Sequence, residues 1–185
     1  MTENPRSLMD AGKMNRTLDR IAAEIREKDC DNLAVVGIRT RGVHLAERLV
    51  AKLAATGEVD VGFGILDINL YRDDLSMVAD HPVLRKTEIP FAIGDKRIVL
   101  VDDVLFTGRT VRAALDAIAD LGRPRVVELA VLVDRGNREL PIRADYIGMS
   151  IPTGPDQWVK VLVAEEDGAD RVELGEAEPA REGAS

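Results

Sequence analysis

The stretch "RIVLVDDVLFTGRT", residues 97–110, decides the fold. It begins with apolar residues typical of a buried strand, continues into two adjacent carboxylates, Asp102 and Asp103, and ends in Thr-Gly-Arg-Thr, where a helix is expected to begin. In open α/β sheets, ligands bind at the carboxyl ends of the strands. The stretch therefore predicts a strand-to-helix turn that displays polar groups to a ligand.

The segments around this stretch predict a parallel sheet. In chain order the spacing of apolar residues predicts a helix over residues 13–28, a strand over 33–36, a helix over 42–55, an apolar run over 59–66, a strand over 98–101, a helix over 109–121 and a strand over 126–133. Strand-helix-strand units favour parallel pairing with right-handed crossovers. We therefore expect an α/β fold with helices on both faces of one sheet.

Two regions lack this regular alternation. Between residues 69 and 96 the periodicity fails, which predicts a long loop that is functional or mobile. Toward the C-terminus the sequence predicts turns over residues 134–155, edge strands over 158–163 and 171–174, and a disordered acidic tail over 175–185.

The composition is that of a globular protein. The chain has 185 residues, 45% hydrophobic and 31% charged, which suits one domain with a substantial core. No apolar run approaches the ~18 residues of a membrane helix, and the first ten residues lack the pattern of a signal peptide. A single cysteine, Cys30, excludes an internal disulfide and fits a reducing compartment. We expect a cytoplasmic protein that does not bind membranes.

The net charge of −8 is unevenly distributed. Residues 165–185 carry eight acidic residues and two arginines, or −6, which leaves −2 for the rest of the chain. We interpret this segment as a solvated acidic tail. The balance argues against a general nucleic-acid binder but leaves room for an anion-binding face on the body.

The opening stretch has the chemistry of a sugar-phosphate site. Residues 107–110 place backbone N–H groups and two hydroxyls near the positive end of the predicted helix, an arrangement that binds phosphate. Asp102 and Asp103 would repel a phosphate in direct contact, but their oxygens can accept hydrogen bonds from vicinal hydroxyls about one sugar ring away. The pattern predicts binding of a ribose 5-phosphate.

Two other phosphate motifs are excluded. Gly37 and Gly42 have P-loop spacing, but Val43 and His44 stand where that motif requires Lys and Ser or Thr. No G-x-G-x-x-G sequence opens a helix after a strand, so the dinucleotide fingerprint is missing too.

Residues 97–110 resemble the phosphoribosyl-diphosphate (PRPP) motif of the type I phosphoribosyltransferases. The flanking stretches "GIRTRGVHLAERL", "DINLYRDDL", "LGRPRVVELAVLVDRGNRELPIRADYIG" and "IPT" are similar to one branch of that family, the bifunctional pyrimidine-operon regulators with uracil phosphoribosyltransferase activity. The resemblance spans roughly residues 13–163. It implies a single phosphoribosyltransferase domain over residues 1–174, with a central, mainly parallel sheet flanked by helices, a long mobile loop and a small C-terminal hood.

The resemblance also implies the roles of individual residues. Those implied to bind PRPP or nucleotide are Thr40, Arg41, Gly42, Asp102, Asp103, Val104, Leu105, Phe106, Thr107, Gly108, Arg109 and Thr110. Those implied to act in catalysis are Arg72, Asp102 and Asp103, and those implied to line the base site are His81, Arg135 and Val159.

The chemistry of the implied reaction agrees with these roles. Displacing pyrophosphate from C1 of PRPP builds positive charge on the ribose and negative charge on the leaving diphosphate, so cations and exclusion of water are needed. Arg41 and Arg72 are the candidate cations. We expect Mg²⁺ as cofactor, held mainly by the diphosphate and ribose hydroxyls rather than by a protein ligand set. The expected partners are PRPP, uracil, UMP and pyrophosphate, and the chain is expected to form a homo-oligomer, a dimer or tetramer.

The acceptor base is inferred from one departure. Purine-salvage members of the family usually carry an aspartate directly before the Thr-Gly pair, where this chain has Phe106. Uracil N1 is acidic enough to lose its proton, and to react as an anion, without a strong base. A pyrimidine acceptor therefore fits better than a purine.

Three functions remain open: a uracil phosphoribosyltransferase, an RNA-binding attenuator that senses UMP on a pyr mRNA leader, and a regulator that binds PRPP without turnover. Polar or basic RNA-contacting positions of attenuating relatives are occupied here by Asp19, Ala23, Asn137 and Met149, while Arg20 and Arg143 match. Because phosphate neutralisation dominates RNA affinity, we expect weak RNA binding.

Overall fold

The computed structural model describes residues 5–55, 57, 60–71 and 86–176. The elements are β1 (Arg6–Asp10), α1 (Ala11–Arg26), β2 (Leu33–Ile38), α2 (Arg41–Ala54), β3 (Gly62–Leu66), a 3-10 turn (Asn69–Tyr71), β4 (Arg97–Leu105), α3 (Arg109–Leu121), β5 (Val126–Asp134), β6 (Tyr146–Ser150), β7 (Gln157–Leu162), α4 (Ala164–Asp167) and β8 (Arg171–Glu176).

A five-stranded parallel sheet forms the centre of the molecule. Its strand order is β3-β2-β4-β5-β6, and every neighbouring pair is parallel. All six residues of β2 are buried, as expected for a strand covered on both faces. One hydrophobic cluster joins the sheet to α1 and α2, and a second joins it to α3. The predicted α/β fold is confirmed.

A smaller antiparallel sheet forms the hood. Its strand order is β1-β8-β7. The two C-terminal strands were predicted, but β1 was not, because "RSLMD" holds only two apolar residues, Leu8 and Met9. At the end of β1, Asp10 caps α1 by accepting a hydrogen bond from the backbone N–H of Lys13 at 2.7 Å. The hood is therefore built from both ends of the described chain.

Three boundaries differ from the prediction. Strand β4 continues past Val101 to Leu105, because residues beyond the carboxylates still pair with β5. Strand β6 lies inside the segment predicted as turns. Strand β8 reaches Glu176, two residues into the predicted disordered tail, and residues 177–185 lie outside the described ones.

The prediction of a solvated acidic segment is wrong for residues 165–170. Their carboxylates form ion pairs with α2 instead of facing solvent alone. The reason is a row of basic side chains on α2 that comes close only in the folded chain.

In the described ranges, no helix has both the length and the apolar character needed to cross a membrane.

A buried polar network joins α1 to the main sheet. Arg97, whose side chain is 4% exposed, donates to the Glu128 carboxylate and to the Tyr146 hydroxyl, both at 2.8 Å. Arg97 also donates to the carbonyl oxygen of Ile25 at 3.2 Å, and Lys28 contacts Glu128 at 2.6 Å. Burial alone would raise the pKa of Glu128, but the hydrogen bonds from Lys28 and Arg97 outweigh it and lower that pKa. The network therefore holds an ionised carboxylate inside the protein.

We expect Glu128→Gln to lower the free energy of unfolding by about 3 kcal/mol, because it leaves the buried Arg97 without its counter-charge. Urea denaturation followed by circular dichroism measures the change. Asp116→Asn is the matched control, because it removes a carboxylate from an exposed pair with Arg112 and should cost less than about 0.5 kcal/mol. Equal losses for the two variants would contradict a structural role for the network.

Candidate active site

A cavity of about 340 Å³ opens at the carboxyl ends of β2, β3 and β4. Its lining residues are Arg39, Thr40, Asp67, Ile68, Asn69, Asp102, Asp103, Val104 and Thr110. Five of these, Thr40, Asp102, Asp103, Val104 and Thr110, were predicted as ligand contacts from the sequence. The fold therefore brings the start of α2, the end of β4 and the start of α3 to one cavity.

The two carboxylates of β4 differ in their surroundings. Asp102 is buried, and one of its oxygens accepts the N–H of Asp103 at 2.9 Å. Asp103 is half-buried and accepts the N–H of Val104 at 2.9 Å. Burial, followed by the neighbouring charge of Asp103, raises the pKa of Asp102 well above its usual range. Asp103 is thus the carboxylate better placed to accept hydrogen bonds from a ligand.

The turn between β4 and α3 has the conformation of an anion cradle. Gly108 precedes α3 with φ +94°, a value that glycine adopts at little cost. The Thr107 carbonyl accepts N–H groups from Glu139 and Leu140 at 3.0 and 3.1 Å, which fixes the turn from behind. Among its first residues α3 has no acidic side chain. The positive end of the helix is therefore open to a phosphate.

Not every side chain of this turn faces a ligand. Leu105 was predicted to bind PRPP, but its side chain is buried in the cluster beneath α3 because β4 is still a paired strand there. Arg109 contacts Glu139 at 2.7 Å, and Phe106 is exposed. Leu105 can contribute only its backbone to the site.

The start of α2 packs tightly against β4. A Cβ on Gly42 would lie 2.6 Å from the carbonyl oxygen of Val101, so this close approach requires glycine. Thr40 lines the cavity, whereas Arg41, the predicted pyrophosphate cation, does not. Arg41 instead binds Asp167 through two hydrogen bonds, of 2.9 and 2.7 Å. This partner was not predicted from the sequence.

The predicted base-site residues lie beside the hood. Arg135 is buried, donates to the Thr153 hydroxyl at 3.0 Å and to the Gln157 carbonyl at 2.6 Å, and lies 4.0 Å from the centre of the Phe106 ring. Desolvation lowers the pKa of Arg135. Val159 lies in β7, partly buried against the core, and neither Arg135 nor Val159 lines the cavity.

The remaining predicted residues fall in two groups. Arg72 and His81, with half of the predicted mobile loop, lie outside the described residues. Arg20 donates to the carbonyl oxygens of Ile147 and Gly148, each at 2.9 Å, while Arg143 is exposed. Arg20 is therefore engaged with β6.

Four cavity residues were not predicted as ligand contacts, and two of them, Arg39 and Asp67, carry buried polar atoms. Within the part of the chain that the structure describes, the Nε atom of Arg39 and one carboxylate oxygen of Asp67 are buried without a hydrogen-bond partner, and both residues line the cavity. Each directly follows a parallel strand, β2 or β3. The rule applied to β4, that ligands bind at carboxyl ends of strands, would have found both had it been applied to every strand.

Comparison with known proteins gives a consistent result. The family model described as "Phosphoribosyl transferase domain" matches residues 6–166. The chain is 58% identical to "Bifunctional protein PyrR" of Deinococcus deserti, over 93% of this chain and 95% of that protein. It is also 58% identical to "Bifunctional protein PyrR" of Thermus aquaticus, over 94% and 97%.

Solved structures agree in fold at low sequence identity. A hypoxanthine-guanine phosphoribosyltransferase from Bacillus anthracis aligns with a TM-score of 0.69 at 17% identity, covering 95% of this chain and 99% of that one. The hypoxanthine phosphoribosyltransferase of Trypanosoma cruzi aligns with a TM-score of 0.66 at 15% identity, covering 94% and 97%. These likenesses concern the architecture alone.

We expect Asp102→Asn to stabilise the ligand-free protein at neutral pH. Because the folded-state pKa of Asp102 is raised above 3.8, its ionised form is disfavoured in the folded state, and stability is lost as pH rises from about 4 through the raised pKa. Asparagine keeps the oxygen that accepts the Asp103 N–H. The melting temperature at pH 8 should exceed that of the unsubstituted protein by about 3 °C, the effect of roughly 1 kcal/mol at this size.

Thermal melts of the two proteins at pH 8 and at pH 3.5 test this expectation. The difference should shrink at the lower pH, where the carboxyl of Asp102 is largely protonated in both states. A variant less stable at pH 8 would show that the ionised Asp102 contributes to folding.

Proposed function

Since the chain belongs to the phosphoribosyl transferase family and, within it, to the PyrR proteins, we propose that it transfers the phosphoribosyl group of PRPP to uracil, giving UMP and pyrophosphate. The observation that carries the proposal is that Asp102 and Asp103, at the end of β4, line one cavity together with Thr110, in the first turn of α3. Carboxylates suited to ribose hydroxyls therefore lie close in the chain to a helix start suited to a phosphate.

Each part of PRPP has a matching group. The 5-phosphate fits the turn at the start of α3, and the ribose hydroxyls fit Asp103, the less buried of the two carboxylates. The diphosphate fits the start of α2, where Thr40 lines the cavity and the unpartnered Nε of Arg39 supplies a donor. These donors stabilise the negative charge that grows on the departing pyrophosphate.

The residues of the cavity fit a magnesium ion. The unpartnered oxygen of Asp67 is a hard anionic ligand, and Asp102 and Asp103 line the same cavity. Among the described residues, no group of three or more His, Cys, Asp or Glu side chains could hold a metal ion. We propose that Mg²⁺ arrives with the diphosphate, with Asp67 and Asp103 as nearby oxygens, and supplies neutralisation of the leaving group's charge.

The base is proposed to lie between the cavity and the hood. Phe106 stands where a purine enzyme of this family carries an aspartate, and Arg135 lies over its ring. An aromatic face and a fixed guanidinium offer stacking and hydrogen-bond donation to a carbonyl oxygen, both of which uracil accepts. No strong base is required, because the uracil anion is a competent nucleophile.

We expect purified protein with PRPP and Mg²⁺ to form UMP from uracil, and Asp103→Asn to lower kcat/KM by about 100-fold through loss of a charged contact to the ribose. Chromatographic separation of nucleotides measures both. The melting temperature of Asp103→Asn should stay within about 2 °C of the parent, since Asp103 is half-buried and asparagine keeps one acceptor oxygen. Product from hypoxanthine or orotate, but not from uracil, would refute the assignment of the base.

We propose that RNA binding is the weaker of two activities, with a pyr mRNA leader as its partner. Arg20 already donates to Ile147 and Gly148, so it has fewer donors for phosphate. Asp19 places a carboxylate on the same helix, although Lys52 contacts it at 2.6 Å. Arg143, the other matching cation, is also exposed.

We expect the dissociation constant for a PyrR-type leader hairpin to exceed about 1 μM at physiological salt, in the range of non-specific binding, and to change little with UMP. Filter binding over a series of salt concentrations measures this. Arg143→Ala should reduce the salt dependence of the remaining binding. Tight, UMP-stimulated binding would contradict the expectation and assign a different RNA surface.

The proposed setting is the cytoplasm, which suits a chain whose one cysteine, Cys30, is free. The homo-oligomer, a dimer or tetramer, stays a prediction.

A further inference from the structure

The acidic turn of residues 165–170 is bound along one side of α2. Three basic side chains of that helix, at positions i, i+3 and i+7, each contact it. Arg41 binds Asp167 at 2.7 Å, and the Nε2 atom of His44 lies 3.0 Å from Glu166. Arg48 binds both Glu165 and Asp170, at 2.6 and 2.7 Å. The hood is therefore bound to α2, the helix that directly follows the cavity residue Thr40.

Asp167 is the member of this turn that bears on the active site. Its side chain is 16% exposed, and the oxygen that binds the Nε of Arg41 also accepts the N–H of Val163 at 2.9 Å. The hydrogen bond from Arg41 lowers the pKa of Asp167 to about 2. The carboxylate is thus ionised at neutral pH and held in place by the backbone of the hood.

The geometry of the contact leaves Arg41 able to bind a second anion. The bidentate contact uses Nε and Nη2, the side edge of the guanidinium. The Nη1 atom lies outside this contact, and Nη1 with Nη2 forms the end edge, which also fits two phosphate oxygens. A guanidinium whose side edge is fixed loses less rotational freedom when its end edge binds.

We propose that Asp167 is a positioning residue for PRPP, which orients Arg41 so that its end edge binds the diphosphate. The proposal rests on the proposed transferase function. It assigns a role in substrate binding to a hood residue that lies 126 positions from Arg41 in the chain. Asp167 touches no substrate itself and acts only through Arg41.

The test is Asp167→Asn, in which asparagine keeps an oxygen to accept the Val163 N–H but loses the charge. We expect the KM for PRPP to rise about tenfold, the lower end of the effect of losing a supporting carboxylate. The KM for uracil and kcat should stay within about twofold. Asp167→Glu should restore part of the affinity. A lower KM for PRPP would overturn the proposal, because it would mean that Asp167 withholds Arg41 from the substrate.

Glu165→Gln is the matched control. It removes one carboxylate charge from the same turn, but Arg48 keeps Asp170 as its partner and the Arg41 contact is untouched. The KM for PRPP should not change. A rise equal to that of Asp167→Asn would show that the general charge of the turn, and not the orientation of Arg41, sets the affinity.

A double-mutant cycle separates positioning from a purely structural effect. In an Arg41→Ala background, Asp167→Asn should change the KM for PRPP by less than about twofold, because the residue through which it acts is gone. The same tenfold rise in that background would overturn the proposal.

Calorimetry that measures the binding of Mg²⁺-pyrophosphate to the parent chain and to Asp167→Asn tests the positioning role without requiring turnover. If the parent chain forms no UMP but binds pyrophosphate more tightly than Asp167→Asn, the transferase assignment fails and the positioning role stands. If the two proteins bind pyrophosphate equally, the positioning role fails whatever the turnover.

Discussion

The structure depends on the unequal pairing of β4. On one side β4 pairs with β2, and the last residues in register are Gly37 and Val101; on the other side it pairs with β5 as far as Leu105. Beyond Val101 the backbone of β4 is therefore still held by hydrogen bonds to β5, whereas its other edge, which paired with β2, no longer has a strand beside it. The cavity begins at that point, and Asp102 and Asp103 are the first residues of β4 to border it. The close contact of Gly42 with Val101 brings α2 to the same place.

The inner strands of the main sheet, β2, β4 and β5, could be predicted because they are buried on both faces. Such strands read as continuous apolar runs, as in β2, and they alternate with helices whose apolar residues recur every three or four positions. Strands β1 and β6 gave no such signal. They lie at the edges of their sheets and are five residues long, and β1 depends on β8, a partner distant in the sequence. Their existence is a property of the tertiary structure.

The candidate site was predictable to the extent that it is local. The carboxylates and the turn proposed to bind phosphate lie within ten residues of one another, so their joint chemistry is visible in one stretch. Arg39 and Asp67 become meaningful only when the ends of β2 and β3 are adjacent to that of β4. The partner of Arg41 was still harder to predict, because an acid-rich segment does not indicate which basic side chain it will contact in the folded chain. Charge composition alone suggested a solvated tail, whereas in the folded chain the acidic side chains of residues 165–170 bind the hood to α2.

The strand order of the hood has a consequence for biosynthesis. Strand β8 is the central strand of the hood, yet the ribosome makes it after β1 and β7. A nascent chain can complete the parallel sheet while β1 still has no neighbour and the basic face of α2 still lacks its acids. The antiparallel sheet of the hood therefore forms only after β8 has left the ribosome, as a late step in folding of the enzyme.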